Sequence, residues 1–230
     1  MVLLFDPDFL NPLILSLKLA TITTIILLPI GITLGYYLAY RNNFLSLLVQ
    51  TLVWLPLILP PTVLGFYLLL TFSPNYFLGS FLENTLHIKL AFSFTGVVIG
   101  SVIFSLPFMI NPIKNALASL PSNLKEASYT LGKGRVKTLF LVLLPNILPS
   151  ILLAIITTFA HTIGEFGVVL MLGGDIPNVS RVASIAIYTQ TELLNYEKAN
   201  HYAIILSLTS FTLLFVVILI SSRLQNRSIL

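Results

Sequence analysis

A chain of 230 residues could fill one large soluble domain or two small ones, but 57% hydrophobic against 9% charged residues excludes a soluble fold, in which roughly a quarter would be charged. Twelve basic and eight acidic residues cannot supply a polar surface for it, and the mean hydropathy of +0.98 excludes disorder as firmly. The net charge of +4 would point to nucleic acid in a soluble chain; here the placement of the charges carries more than their sum, and no nucleic-acid partner is expected.

The chain begins with Asp6 and Asp8 and no basic residue before the first apolar run. That is not the pattern of a cleaved leader, so the chain is read as complete. Crossing a bilayer takes about 20 apolar residues in a helix. Five runs meet that length and predict membrane spans at about 13–40, 46–72, 89–110, 147–172 and 202–221. The fold class expected is therefore an all-α integral membrane protein with one transmembrane domain over 1–230. With no cysteine in the sequence, disulfides and thiolate metal sites are excluded.

Lys18 sits one turn into the first span, where its stem can snorkel to the interface. The second span carries Pro56, Pro60 and Pro61, and the fourth has Pro145 and Pro149 at its start. Each proline removes a backbone donor and loosens its helix. Simple kinks and broken helices beside a pathway both remain open. Gly35, Gly65, Gly96 and Gly100 are expected at close helix contacts.

Orientation follows from the basic residues between spans. Arg41, Lys114, Lys125, Lys133, Arg135, Lys137, Arg223 and Arg227 would share one side, against Lys18, Lys89, Arg181 and Lys198 on the other. The richer side is cytoplasmic, which puts the N-terminus outside and the C-terminus inside. The connection 111–138 is then a basic cytoplasmic loop, and 173–200 a mixed outer one.

Within that loop, Ser122 to Gly132 reads as a short surface helix. Asn123 is expected to cap it, with Glu126 reaching back as in a capping box. Leu124, Ala127 and Leu131 share one face. Gly132 fits the left-handed position that ends a helix.

In the fourth span Glu165 is the lone intramembrane carboxylate, a candidate functional group by default. His161 lies four residues earlier, on the same helix face. A structural pair and a pathway or gate role both remain open. The three histidines, His87, His161 and His201, have no metal-ligand spacing. No Gly-x-x-x-x-Gly-Lys-Ser/Thr occurs, and Gly132-Lys133-Gly134 is too short for one. No catalytic residue, metal or cofactor is assigned to this chain.

Glu126-Ala127-Ser128, Gly132 and Val142-Leu143-Leu144-Pro145 follow the spacing of the EAA loop of ABC importer permeases, departing from it at Ser128 and Val142. Leu57-Ile58-Leu59-Pro60-Pro61-Thr62-Val63-Leu64-Gly65-Phe66, Gly164-Glu165-Phe166-Gly167, Gly174-Asp175-Ile176-Pro177 and Ala186-Ile187-Tyr188 resemble stretches of molybdate permeases. The chain is thus similar to the membrane subunit of a molybdate ABC importer of type I, with sulfate, thiosulfate and tungstate permeases as the alternative within the class. A membrane-embedded enzyme or a channel without an ATPase is the alternative outside it.

The resemblance implies a homodimer in a bacterial cytoplasmic membrane. It implies a pair of ATPase subunits, carrying ATP and magnesium, that dock on a coupling helix with Asn123, Leu124, Glu126, Ala127, Ser128, Leu131 and Gly132. It implies an extracytoplasmic oxyanion-binding protein as a further partner. Pro60, Pro61, His161, Gly164, Glu165, Phe166 and Gly167 are the residues expected at the gate or pathway. Relatives often carry Arg where His161 stands, so the resemblance places no basic contact to the anion there.

Overall fold

The computed structural model describes residues 7–227. The acidic start at Asp6 and the last tail residues, 228–230, lie outside the described residues, so expectations that rest on them stay there. Every regular element among the described residues is helical. Three helices are long and apolar enough to cross a membrane, Asp8–Tyr40, Phe94–Ser119 and Tyr196–Val216. Two bent pairs bring the possible spans to five.

The first helix, α1 (Pro7–Tyr40), lies parallel to α5 (Phe94–Ser119). Leu27, Met109, Ile113 and Leu117 are wholly buried in this part of the core. Gly35 lets the two backbones approach: a Cβ there would lie 2.9 Å from Ile113 Cγ2 and 3.3 Å from the Lys114 nitrogen. Lipid offers no hydrophobic drive between helices, so such close van der Waals contact is what joins them. At the far end the Tyr40 hydroxyl donates to the Leu117 carbonyl at 3.1 Å.

The second predicted span is not continuous. It divides into α2 (Phe44–Ile58) and α3 (Pro61–Phe72), bent by 112° at Leu59-Pro60. Pro60 and Pro61 cannot donate to the carbonyls one turn back, so the ladder stops there. A capping box does form in the chain, at Asn43 and Ser46, where α2 starts.

The third span starts later than expected and runs nine residues past its predicted end at 110, to Ser119. Pro107 and Pro112 lie within it without ending it. Lys114, which suggested a loop, instead donates to Gln50 Oε1 of α2 at 2.9 Å. The connection 111–138 is therefore mostly helical: the end of α5, then α6 (Ser122–Thr130) and α7 (Arg135–Thr138). A π-helical turn (Leu139–Leu143) and α8 (Leu144–Asn146) lead into α9 (Leu148–Ile163), with a bend of 79° at Ile147.

The fourth predicted span is also broken. It consists of α9 and α10 (Gly167–Gly173), separated by Gly164, Glu165 and Phe166. Between them and the last helix lies α11 (Ala183–Glu192), before which a loop bonds back on itself through Ser180 Oγ to the Gly173 carbonyl at 2.6 Å. The Ala183 amide donates to Ser16 Oγ of α1 at 2.8 Å. The last helix, α12 (Tyr196–Arg227), starts beside the start of α1, with Tyr202 stacked on Phe9 at 4.2 Å. Both helices thus leave the same end, as an odd number of spans requires.

Candidate functional site

Two places bring the expected functional residues together. The first is a cleft of about 560 Å³ lined by Pro61, Thr62, Phe104, Ala160, His161, Gly164, Glu165, Phe166 and Gly167. Its walls are the gap in the second span, the gap in the fourth and the middle of α5. All the expected pathway residues line it except Pro60, which precedes α3 and stands next to the wall.

The two gaps are held in contact by the absence of a side chain. A Cβ on Gly167 would lie 2.8 Å from Pro61 Cβ and 3.4 Å from the Thr62 nitrogen. One turn on, a Cβ on Gly65 would lie 2.8 Å from Met171 Cβ and 3.1 Å from Val168 Cα. The outer halves of the two broken spans, α3 and α10, thus pack backbone against backbone. Gly96 and Gly100 do not form one helix-pairing motif: Gly100 faces Val168 and Leu172, whereas Gly96 fits under the Leu90 carbonyl of its own preceding turn.

Glu165 occupies the gap itself, with the residue 3% exposed. Because α9 ends at Ile163, with Gly164 as its cap, Glu165 does not share a helix face with His161 as the sequence led one to expect. His161 is instead stacked on Phe108 at 4.0 Å and tilted against Phe104 at 4.9 Å. Its Nε2 is buried without a hydrogen-bond partner; both Glu165 carboxylate oxygens and the Ser101 hydroxyl beside them are buried too, and that hydroxyl faces the carboxylate without a well-formed bond. The backbone of the gap, by contrast, is fastened: Ser184 Oγ donates to the Glu165 carbonyl at 2.7 Å. Thr162 and Ser105 hydroxyls meet at 3.1 Å just before it.

A buried carboxyl without a well-formed hydrogen bond is costly, so such groups are rare unless function retains them. Sequence reasoning found the carboxylate and missed its surroundings. Thr62 lies in a stretch already singled out, but Phe104 and Ser184 carry no signal beyond being an aromatic and a serine in apolar helices.

The second place is α6. It starts at Ser122 directly after Pro121, with no side-chain cap, so Asn123 and Glu126 do not form the expected capping box. Proline fixes the entry dihedral (φ −58°) and its carbonyl accepts from the Leu124 amide, which makes a side-chain cap unnecessary. The end of the helix is as expected. Gly132 has φ +74°, its amide donates to the Tyr129 carbonyl, and the Lys133 amide donates to the Ser128 carbonyl.

Asn123, Glu126, Ala127 and Leu131 are exposed, Leu131 to 77%, while Leu124 is half-buried. Ser128 turns inward and meets the Thr138 hydroxyl at 2.9 Å, both buried. This departure from the Glu-Ala-Ala pattern is thus satisfied by a hydroxyl ten residues on. The helix presents a small apolar and acidic face outward while its other side is fastened to the bundle.

A membrane bundle with two broken spans meeting at a buried carboxylate, and a short exposed helix at its basic end, defines a transport component. Residues 31–229 match the family described as binding-protein-dependent transport system inner membrane component. The chain belongs to that family and is a multi-pass inner-membrane protein.

It is 41% identical over 209 residues to the molybdenum transport system permease protein ModB of Azotobacter vinelandii, covering 91% of this chain and 92% of that one. It is 32% identical over 226 residues to the protein of the same name from Escherichia coli K12, covering 98% and 97%. In fold it is similar to a bacterial ABC transporter involved in the import of the acidic polysaccharide alginate. The TM-score is 0.81 at 17% identity, over 96% of this chain and 82% of that one.

Proposed function

We propose that this chain forms the translocation pathway of an ATP-driven molybdate importer, as a homodimer. The observation that carries the pathway reading is the cleft at which both broken spans stop, with Glu165 buried in its wall and only the Ser101 hydroxyl beside its carboxyl. Interrupted helices at membrane depth are tolerated where they line a cavity or are buried in protein. The cleft is open on one side, which suits a second copy of the chain as the facing wall. The cargo reading rests on the relatives' names and on their coverage of nearly the whole chain.

In this reading an ATPase pair, holding ATP and magnesium, docks on the exposed face of α6 through Asn123, Glu126, Ala127 and Leu131. Leu124, Ser128 and Gly132 keep that face in place. A separate oxyanion-binding protein delivers the anion to the opposite end. Pro60, Pro61, Gly164, Phe166 and Gly167 shape the hinge points of the gate. Glu165 does not bind the anion, since like charges repel; it holds the gate through a donor across the dimer. His161 is a wall of the pathway.

The test is uptake of labelled molybdate by vesicles holding this chain, its ATPase and its binding protein. The expected result is ATP-dependent molybdate uptake, competed by tungstate and weakly by sulfate. Sulfate competing better than tungstate would reassign the cargo; uptake independent of ATP would remove the importer reading.

A further inference from the structure

At the end of the bundle that carries the basic residues, a second cavity, of about 390 Å³, lies between α1, α6 and α7. It is lined by Tyr36, Tyr37, Tyr40, Arg41, Lys125, Tyr129 and Arg135, with no carboxylate among them. Among the described residues none of its three cations is in an ion pair with Asp or Glu. Lys125 Nζ instead stands over the Tyr40 ring, 4.0 Å from its centre. The phenols of Tyr36 and Tyr129 lie beside one another on its lining. The Tyr37 hydroxyl is buried and has no hydrogen-bond partner.

Three cations converging without a counter-charge repel one another, and among the described residues no acidic side chain pairs with them. Guanidinium groups match the forked geometry of a phosphoryl or similar oxyanion, and phenols add neutral donors. A basic pocket at this depth, beside helix ends on the positive side of a membrane protein, suits an anionic headgroup in particular.

We infer that the cavity between the end of α1 and the α6–α7 turn is an anion site for a phosphoryl or other tetrahedral oxyanion group, either the headgroup of an anionic phospholipid or a free anion. The bound group ties Arg41 of the stretch after α1 to Lys125 of α6 and Arg135 of α7. It thereby sets where the exposed helix sits relative to the membrane bundle. The site does not depend on which cargo is carried.

The experiment uses the complete transporter with its ATPase, as wild type and as the double variant Arg41→Gln/Arg135→Gln. In one arm it is extracted from equimolar phosphatidylglycerol and phosphatidylcholine vesicles, and retained lipid is measured by native mass spectrometry. In the other it sits in phosphatidylcholine alone, and inorganic phosphate binding is measured by calorimetry. Losing hydrogen bonds to a charged group should weaken binding about tenfold or more. Phosphatidylglycerol retained by the wild type and lost by the variant assigns a headgroup; phosphate bound and lost in the same way assigns a free anion. A wild type that holds neither, or a double variant that holds both as well as the wild type does, overturns the inference. A double variant that keeps its anions but loses the ATPase makes the cavity a protein-docking site and also overturns it. Should the double variant fail to fold, Lys125→Gln is measured in its place, with the same expected loss and the same refuting result.

Discussion

Glu165 is the residue whose replacement says most about mechanism. Neither carboxylate oxygen makes a well-formed hydrogen bond within its own chain, where the Ser101 hydroxyl is the donor beside it, and the residue is 3% exposed. Glu165→Gln or Glu165→Ala therefore loses at most the contact with Ser101 inside one protomer and relieves the desolvation cost of a buried carboxyl. The amount of folded protein and its melting temperature should stay level or rise. If a donor of the facing copy completes the carboxylate in one state of the gate, losing that bond removes roughly 1.5–3 kcal/mol from that state. A two-state equilibrium then shifts by about ten- to 150-fold. ATP hydrolysis should run on with molybdate uptake lagging behind it. The assay is ATPase rate and uptake on equal amounts of reconstituted transporter. An unchanged ratio of the two would remove Glu165 from the gate, and a fall of several degrees in melting temperature would show that its partner lies within the chain after all.

Other outcomes follow from the same geometry. Gly167→Val should separate the two broken spans, since its first carbon already meets Pro61 at 2.8 Å; overpacking of about 1–3 kcal/mol should appear as lost uptake and a lower melting temperature. Gly132→Ala puts a Cβ at φ +74°, which costs roughly 1–2 kcal/mol and should loosen ATPase co-purification, whereas Glu126→Lys, exposed and making no cap, should weaken it without any fall in melting temperature. Unchanged ATPase yield in both would refute docking on α6. Cysteines at Ser122 and Val179, both exposed, should label from opposite sides of the membrane with an impermeant reagent; labelling from one side would refute the orientation. Ser180, at the end of the turn that follows Ile176, is wholly buried and would not report.

The spans were legible because apolar runs of twenty residues have few alternative fates; Pro60 and Pro61 marked where the second could kink or break, whereas the break in the fourth at Gly164–Phe166 was not expected. The bend of 112° was not legible: prolines say that a hydrogen-bond ladder stops, and tertiary packing decides the angle. The extension of α5 to Ser119 was hidden because Pro112 and Lys114 look like loop residues until Gln50 of another helix is seen beside the lysine. Glu165 and His161 do not share a helix face for a local reason: α9 ends at Ile163, two residues short of Glu165. The capping box was expected at Asn123 and formed at Asn43, since Pro121 had already set the entry to α6.

The close seating of α3 on α10 has a mechanical consequence. Gly65 and Gly167 leave no slack between these two half-helices, so a shift of one carries the other. Each has a break at its inner end, at Leu59-Pro60 and at Gly164–Phe166, where dihedrals can change without disturbing a helix. The pair is therefore one lever on two pivots, and a protomer has a single stroke to make. In the homodimer proposed above, two such levers would face one another across the pathway, each with its own pair of pivots.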